Sequence, residues 1–146
     1  FKRSPGFVAD TLEMAGRWSD LPGIYADVVA AINAVPGTLA GSAHQSHAYV
    51  DGACLYFSLR GEVEVERRAQ WYRAAWDAAN AVLIKYNAAL SHHHGVGLLR
   101  APYMQESLGG AFDVLRTIKR TLDPQNILNP GKLGLSDARF YDQEDR

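Results

Sequence analysis

Between residues 63 and 90 the apolar side chains return at helical spacing: Val65, Tyr72, Ala75, Trp76, Ala79, Leu83, Tyr86 and Leu90 step by three, four or seven, with Glu and Arg on the opposite face. The spacing predicts a helix over about 63–89, and a helix of that kind needs an apolar surface to receive its stripe. The segments before it supply one. Residues 7–18 alternate near period two, as a half-buried strand does. Ser19-Asp20-Leu21-Pro22 offers an N-cap with proline in the first turn, and Ile24, Tyr25, Val28, Val29 and Ile32 continue a helix over about 21–34, which Pro36-Gly37 ends. Thr38 to Tyr49 is polar and extended in character, Asp51-Gly52 carries hairpin chemistry, and Ala53 to Leu59 is a dense apolar run, so a β-hairpin is expected. A last helix near 103–122 rests on Met104, Leu108, Phe112, Leu115 and Ile118, weakened by Gly109-Gly110 at about 1 kcal/mol per glycine. Asp123-Pro124 stops it. The order strand, helix, two strands, helix, helix describes an α+β layer in which helices cover one face of an antiparallel sheet, like half of a ferredoxin-like arrangement.

With 146 residues and 47% hydrophobic content the chain suits one domain, expected over 1–135, followed by a polar tail over 136–146 expected to be disordered. A net charge of -1 removes the basic surface that nucleic acid or an anionic membrane would require. Cys54 is the single cysteine, so no internal disulfide forms and a reducing, cytosolic setting is expected. Apolar runs are only a few residues long, which predicts a soluble protein. An opening Phe1, where a start methionine is absent, suggests a piece of a longer protein.

Chemistry concentrates in Ser91-His92-His93-His94-Gly95-Val96-Gly97, three of the five histidines in a row. Purification tags are terminal and usually longer, whereas this run is internal and leads into glycines suited to a tight turn. Neighbouring imidazoles on a loop point in different directions, so one can face a ligand while others bond to the scaffold. Metal binding is not expected. His44 and His47, three apart on an extended segment, should point to opposite faces, and structural zinc sites commonly use cysteine, while Cys54 sits in a buried-looking strand. By pattern alone Tyr56 is a core aromatic with its hydroxyl satisfied at a sheet edge, and Arg100 and Lys132 are solvated loop charges. Ser91 lacks the Gly-x-Ser-x-Gly elbow of a hydrolase, and no glycine-rich phosphate loop opens a helix.

Three blocks together carry a resemblance: Asp51-Gly-Ala-Cys-Leu-Tyr-Phe57, Ser91-His-His-His-Gly-Val-Gly97 and Leu122-Asp-Pro-Gln-Asn-Ile-Leu-Asn-Pro-Gly-Lys-Leu133. In this order and spacing they resemble the C-terminal region of FAD-linked oxidases of the vanillyl-alcohol-oxidase type. The triple histidine is similar to the alkyldihydroxyacetonephosphate synthase subgroup, where most relatives carry Glu-His-Gly. Asn129-Pro-Gly-Lys132 looks more like the dehydrogenases of the superfamily. The resemblance implies a cap or substrate domain whose FAD-binding domain lies upstream. It puts Tyr56 at the catalytic tyrosine and His92, His93 and His94 at the active-site histidine run. Asn126, Asn129 and Lys132 fall in the terminal motif, expected to dock against the flavin domain before contacting flavin directly. In that subgroup the flavin undergoes no net redox change: its N5 adds to the dihydroxyacetone-phosphate carbon, the fatty acid leaves and a fatty alcohol replaces it. A phenol that accepts and returns a proton suits those steps, and imidazoles can steady the carboxylate leaving group.

Two other functions are consistent with the sequence. One is an FAD-linked 2-hydroxyacid dehydrogenase of the D-lactate or glycolate type. The other is a stand-alone ligand-binding α+β module. For the enzyme, the expected partners are its own upstream flavin-binding domain, a small-molecule or lipid-like substrate and a second copy in a homodimer.

Overall fold

The structure is a computed structural model that describes residues 3–136, so the tail expected to be disordered lies outside the described residues from position 137 onward. Its elements are β1 (Phe7–Arg17), α1 (Leu21–Asn33), β2 (Thr38–Ala48), β3 (Gly52–Glu62), α2 (Arg68–Lys85), α3 (Met104–Leu108) and α4 (Gly110–Leu122), with short 3-10 turns at Val65–Arg67, Ala101–Tyr103 and Lys132–Gly134. The chain divides into two compact units, Phe1–His94 and Gly95–Arg146. No helix among the described residues is long and apolar enough to cross a membrane.

In the first unit the three strands form an antiparallel sheet in the order β1-β3-β2, and α1 and α2 pack against one face. This is the expected α+β fold, with three strands in the ferredoxin-like order. Leu12 and Met14 of β1, Leu55, Phe57 and Leu59 of β3, Ile24, Val28 and Ile32 of α1, and Trp71, Trp76 and Leu83 of α2 are all buried. Each such side chain contributes about 1.5–3 kcal/mol on leaving water. Gly61 lets β3 approach α2 closely, because a Cβ there would lie 2.3 Å from the Trp71 ring. Asp10 of β1 holds α2 by accepting bonds from the Tyr72 hydroxyl at 2.6 Å and the Trp76 indole at 3.1 Å.

The long helix is shorter than its pattern. It starts only after a 3-10 turn, and it ends where Asn87 takes a left-handed φ of 51°, with Ala88 N–H donating to the Leu83 carbonyl. That is a C-cap device, which asparagine tolerates better than most residues. Beyond the cap, one residue regains strand pairing. Ala89 bridges Ala15 antiparallel, two bonds of 2.9 and 3.2 Å on the free edge of β1, where a fourth strand would run. The bridge stops after one pair and the chain turns into the histidine run.

In the second unit the helix expected over 103–122 is broken. Gly109 adopts φ 53° and ψ −133°, a conformation closed to side-chain-bearing residues, and this separates α3 from α4. Arg100, expected to be a solvated charge, is buried and donates to the Gly95 carbonyl at 2.9 Å.

Candidate functional site

Because side chains alternate along a strand, the burial of Leu55, Phe57 and Leu59 under the helices sends Cys54, Tyr56 and Ser58 to the opposite face. On that face Tyr56 stands between Glu13 of β1 and His44 of β2, its direct partners in the two ladders. It is thus on the central strand and not at a sheet edge. The His44 ring stacks on Tyr56 at 5.2 Å between centroids.

His47 shares this face, contrary to the expectation from spacing. The β2 register shifts between Gln45 and His47, so Gln45 faces Leu55 while His47 faces Cys54. One extra residue at Ser46 reverses the parity of every position after it, which is what a β-bulge does. His47 accordingly lies 4.9 Å from the His92 ring and 5.2 Å from the His93 ring.

Glu13 organises the histidine run. It is fully buried between Leu12 and Met14, yet its carboxylate accepts the Ser91 hydroxyl at 2.8 Å and the backbone N–H groups of His92, His93 and His94 at 2.5, 3.4 and 3.0 Å. Three successive amides converging on one anion form a nest. These amides would be orphaned where the fourth strand stops after one bridge, and a charged acceptor satisfies them at once. Reasoning from sequence passed over Glu13. Its signal was an acid between two core residues in a strand.

The run is thereby held over Tyr56, and of the four residues expected to act the structure brings His93 and His94 against the tyrosine. His93 stacks near Tyr56 at 6.0 Å and His94 meets it edge-on at 5.3 Å. Thr11, also missed, shares a 3.1 Å hydrogen bond with the Tyr56 hydroxyl. His92 turns away to bond the Tyr49 hydroxyl at 2.7 Å. Burial holds His93 below the usual imidazole value, the nearby Glu13 charge opposes this, and His94, His47 and His92 add to the depression. Burial, with the Glu13 charge second, pushes the Cys54 thiol up. A cleft of about 260 Å³ between Arg17, Asp20, Tyr49 and Tyr86 borders the site through Tyr49 but includes none of the histidines. Donor atoms of His47, Cys54, His92 and His93 lie within 4.8 Å of one another, a grouping able to hold a metal ion. From sequence, His44, His47 and one of His92–His94 were the conceivable nitrogen ligands, with Cys54 set apart in a buried-looking strand.

Asn126, Asn129 and Lys132 lie in the second unit. There Asp123 shapes the terminal loop, its carboxylate accepting the N–H groups of Ile127 and Leu128 at 2.9 Å each and the Lys119 ammonium, which holds the acid below the usual carboxylate range. Asn126 and Asn129 adopt left-handed φ values of 52° and 48°, and Lys132 N–H donates to the Asn129 carbonyl at 3.3 Å. The two asparagines thus serve the backbone path of the loop. Ile127 and Leu128 are 71% and 62% exposed, apolar residues presented outward by that path.

Residues 1–133 match the family described as FAD linked oxidases, C-terminal domain. The chain is 39% identical over 92 residues to alkyldihydroxyacetonephosphate synthase of Dictyostelium discoideum, covering 62% of this chain and 15% of that protein. It is 35% identical over 82 residues to glycolate oxidase subunit GlcD of Bacillus subtilis, covering 56% of this chain and 17% of that one. In fold it matches a crystallised alkyldihydroxyacetonephosphate synthase with a TM-score of 0.55 at 24% identity, over 86% of this chain and 20% of the other. The chain therefore spans about a sixth of the curated relatives it matches. Its relatives are flavin-linked oxidases and synthases, and the chain, with Tyr56 and the histidine run on one open sheet face, belongs to the FAD-linked oxidase C-terminal domain family.

Proposed function

We propose that this chain is the substrate-facing part of an FAD-dependent enzyme that exchanges the acyl group of acyl-dihydroxyacetone phosphate for an alkyl group. The observation that carries this reading is the packing of His93 and His94 against Tyr56 on a sheet face that the two helices leave uncovered. A half-buried phenol flanked by imidazoles is a donor set suited to a flavin site, and the flavin, held by the rest of the protein, would supply the ring at which the substrate carbon is exchanged. Tyr56, its hydroxyl steadied by Thr11, gives and takes the proton at that carbon. His93 and His94 donate to the departing carboxylate. In the overall exchange the carbon–oxygen bond to the fatty acid breaks, the bond to the fatty alcohol oxygen forms, and the alcohol proton is released. The terminal loop with Asn126, Asn129 and Lys132 docks against the flavin-binding part. A reducing, cytosolic setting suits Cys54, a free buried thiol.

A second reading, a 2-hydroxyacid dehydrogenase, is favoured by the similarity to the glycolate oxidase subunit and by Asn129-Pro130-Gly131-Lys132. The full-length protein distinguishes the two. Acyl-dihydroxyacetone phosphate with a fatty alcohol should yield ether product and free fatty acid without reducing a redox dye, and Tyr56→Phe should lower turnover about 100-fold or more with flavin still bound. Dye reduction by D-lactate or glycolate, without ether product, would replace the first reading with the second.

A further inference from the structure

Strand pairing sorts the open sheet face into rows, each with one residue from β1, β3 and β2. Glu13, Tyr56 and His44 make the row against which His93 and His94 pack. Continuing along β3 away from Cys54, the next row is Thr11, Ser58 and Ser42, and the one after it is Ala9, Arg60 and Ala40. Paired side chains stand about 5 Å apart within a row, and successive rows about 6.7 Å apart. Three hydroxyls thus lie side by side across all three strands, next to the tyrosine. Among the described residues only Thr11 of the three is engaged, by the Tyr56 hydroxyl at 3.1 Å. Arg60 is exposed, and its ladder partners are alanines, where a strand charge ordinarily meets an opposite one. Glu62, next on the same face, is turned aside to accept the Ser4 hydroxyl at 2.5 Å. Nothing larger than Ser58 separates Arg60 from Tyr56 along β3, and the arginine stem is long enough to lean back over that serine.

We propose that Thr11, Ser42, Ser58 and Arg60 form a subsite for a phosphate monoester, the headgroup of a substrate whose reacting carbon lies at Tyr56. The assignment deepens the acyl-exchange reading and rests on it for what lies at the tyrosine. A guanidinium matches two phosphate oxygens at once, and hydroxyls on adjacent strands donate to the others. The offset from Tyr56 selects the kind of anion. In acyl-dihydroxyacetone phosphate the phosphorus is four bonds from the carbon that exchanges its substituent, a reach of roughly 5 Å. That reach carries the phosphate from the tyrosine to the hydroxyl row, about 6.7 Å on, with Arg60 closing over it from the far side. A 2-hydroxyacid holds its carboxylate one bond from the reacting carbon, too near Tyr56 to meet those hydroxyls.

The test titrates the full-length protein, flavin bound, with glycerol phosphate in a calorimeter. Arg60→Ala, at an exposed position that the fold tolerates, should weaken glycerol phosphate at least tenfold, about 1.4 kcal/mol, while Arg60→Lys keeps part of the affinity. Lactate, a carboxylate probe, should bind alike in wild type and Arg60→Ala. Flavin content should also be equal in the two, since the phosphate belongs to the substrate; flavin lost from Arg60→Ala would overturn that source. Unchanged affinity for glycerol phosphate in Arg60→Ala would overturn the subsite, even in an enzyme that performs acyl exchange. Affinity lost in Arg60→Ala, in an enzyme with no acyl exchange, would uphold the phosphate subsite and remove the reaction assigned to Tyr56.

Discussion

Glu13 shows how much one side chain can carry when it is buried and charged. Its carboxylate serves four donors from Ser91 to His94, so an amide at the same place would turn two hydrogens toward N–H groups that need an acceptor. Glu13→Gln should cost roughly 3 kcal/mol in chemical denaturation and release the histidine run, seen as faster amide exchange at residues 92–94. A change below about 0.5 kcal/mol would mean that the nest holds nothing. Tyr72 offers a pH test. Burial first, and then its bond to Asp10, push its hydroxyl up to about 12. A phenol with a raised folded pKa favours the fold while protonated, so its contribution is complete below its ordinary value near 10 and fades as pH rises through about 12. Stability should therefore fall over that window by about 1 kcal/mol more in the wild type than in Tyr72→Phe, the partly exposed ring tempering the effect. Equal slopes in the two proteins would exclude the linkage.

At the scale of elements, close approach and parity decide the architecture. β3 meets α2 at Gly61, where an added methyl would enter the Trp71 ring, so Gly61→Ala should destabilise the first unit by about 1–3 kcal/mol in a denaturant titration. An unchanged midpoint would show that the helix yields freely. Helix and strand identities were legible because hydrophobic periodicity is a local signal, as in α1 and β3. The end of α2 at Asn87 and the break at Gly109 were not, since both depend on a single residue adopting a left-handed or mirror conformation. The bulge at Ser46 was hidden for a related reason: an inserted residue in a polar edge strand leaves no hydrophobic pattern to betray the slip.

For the molecule as a whole, the second unit leaves apolar residues uncovered. Ile118 and Leu122 of α4 are 48% and 76% exposed, and Ile127 and Leu128 follow in the terminal loop. If this surface docks on the flavin-binding part of the protein, amides over 110–130 should exchange more slowly in the full-length enzyme than in this chain, while β3 amides exchange alike in both. Equal exchange in both forms at 110–130 would place the docking surface elsewhere. The order of elements, the α+β class, Tyr56 and the histidine run are properties that the chain carries locally, in periodicity and in short motifs, and so were readable without coordinates. Tertiary structure alone decided that Glu13 would anchor that run, that Thr11 would hold the tyrosine, and that His47 and Cys54 would meet it. Those relations join residues as far as 81 positions apart through strand pairing and a one-residue bulge, and no local pattern records such pairing.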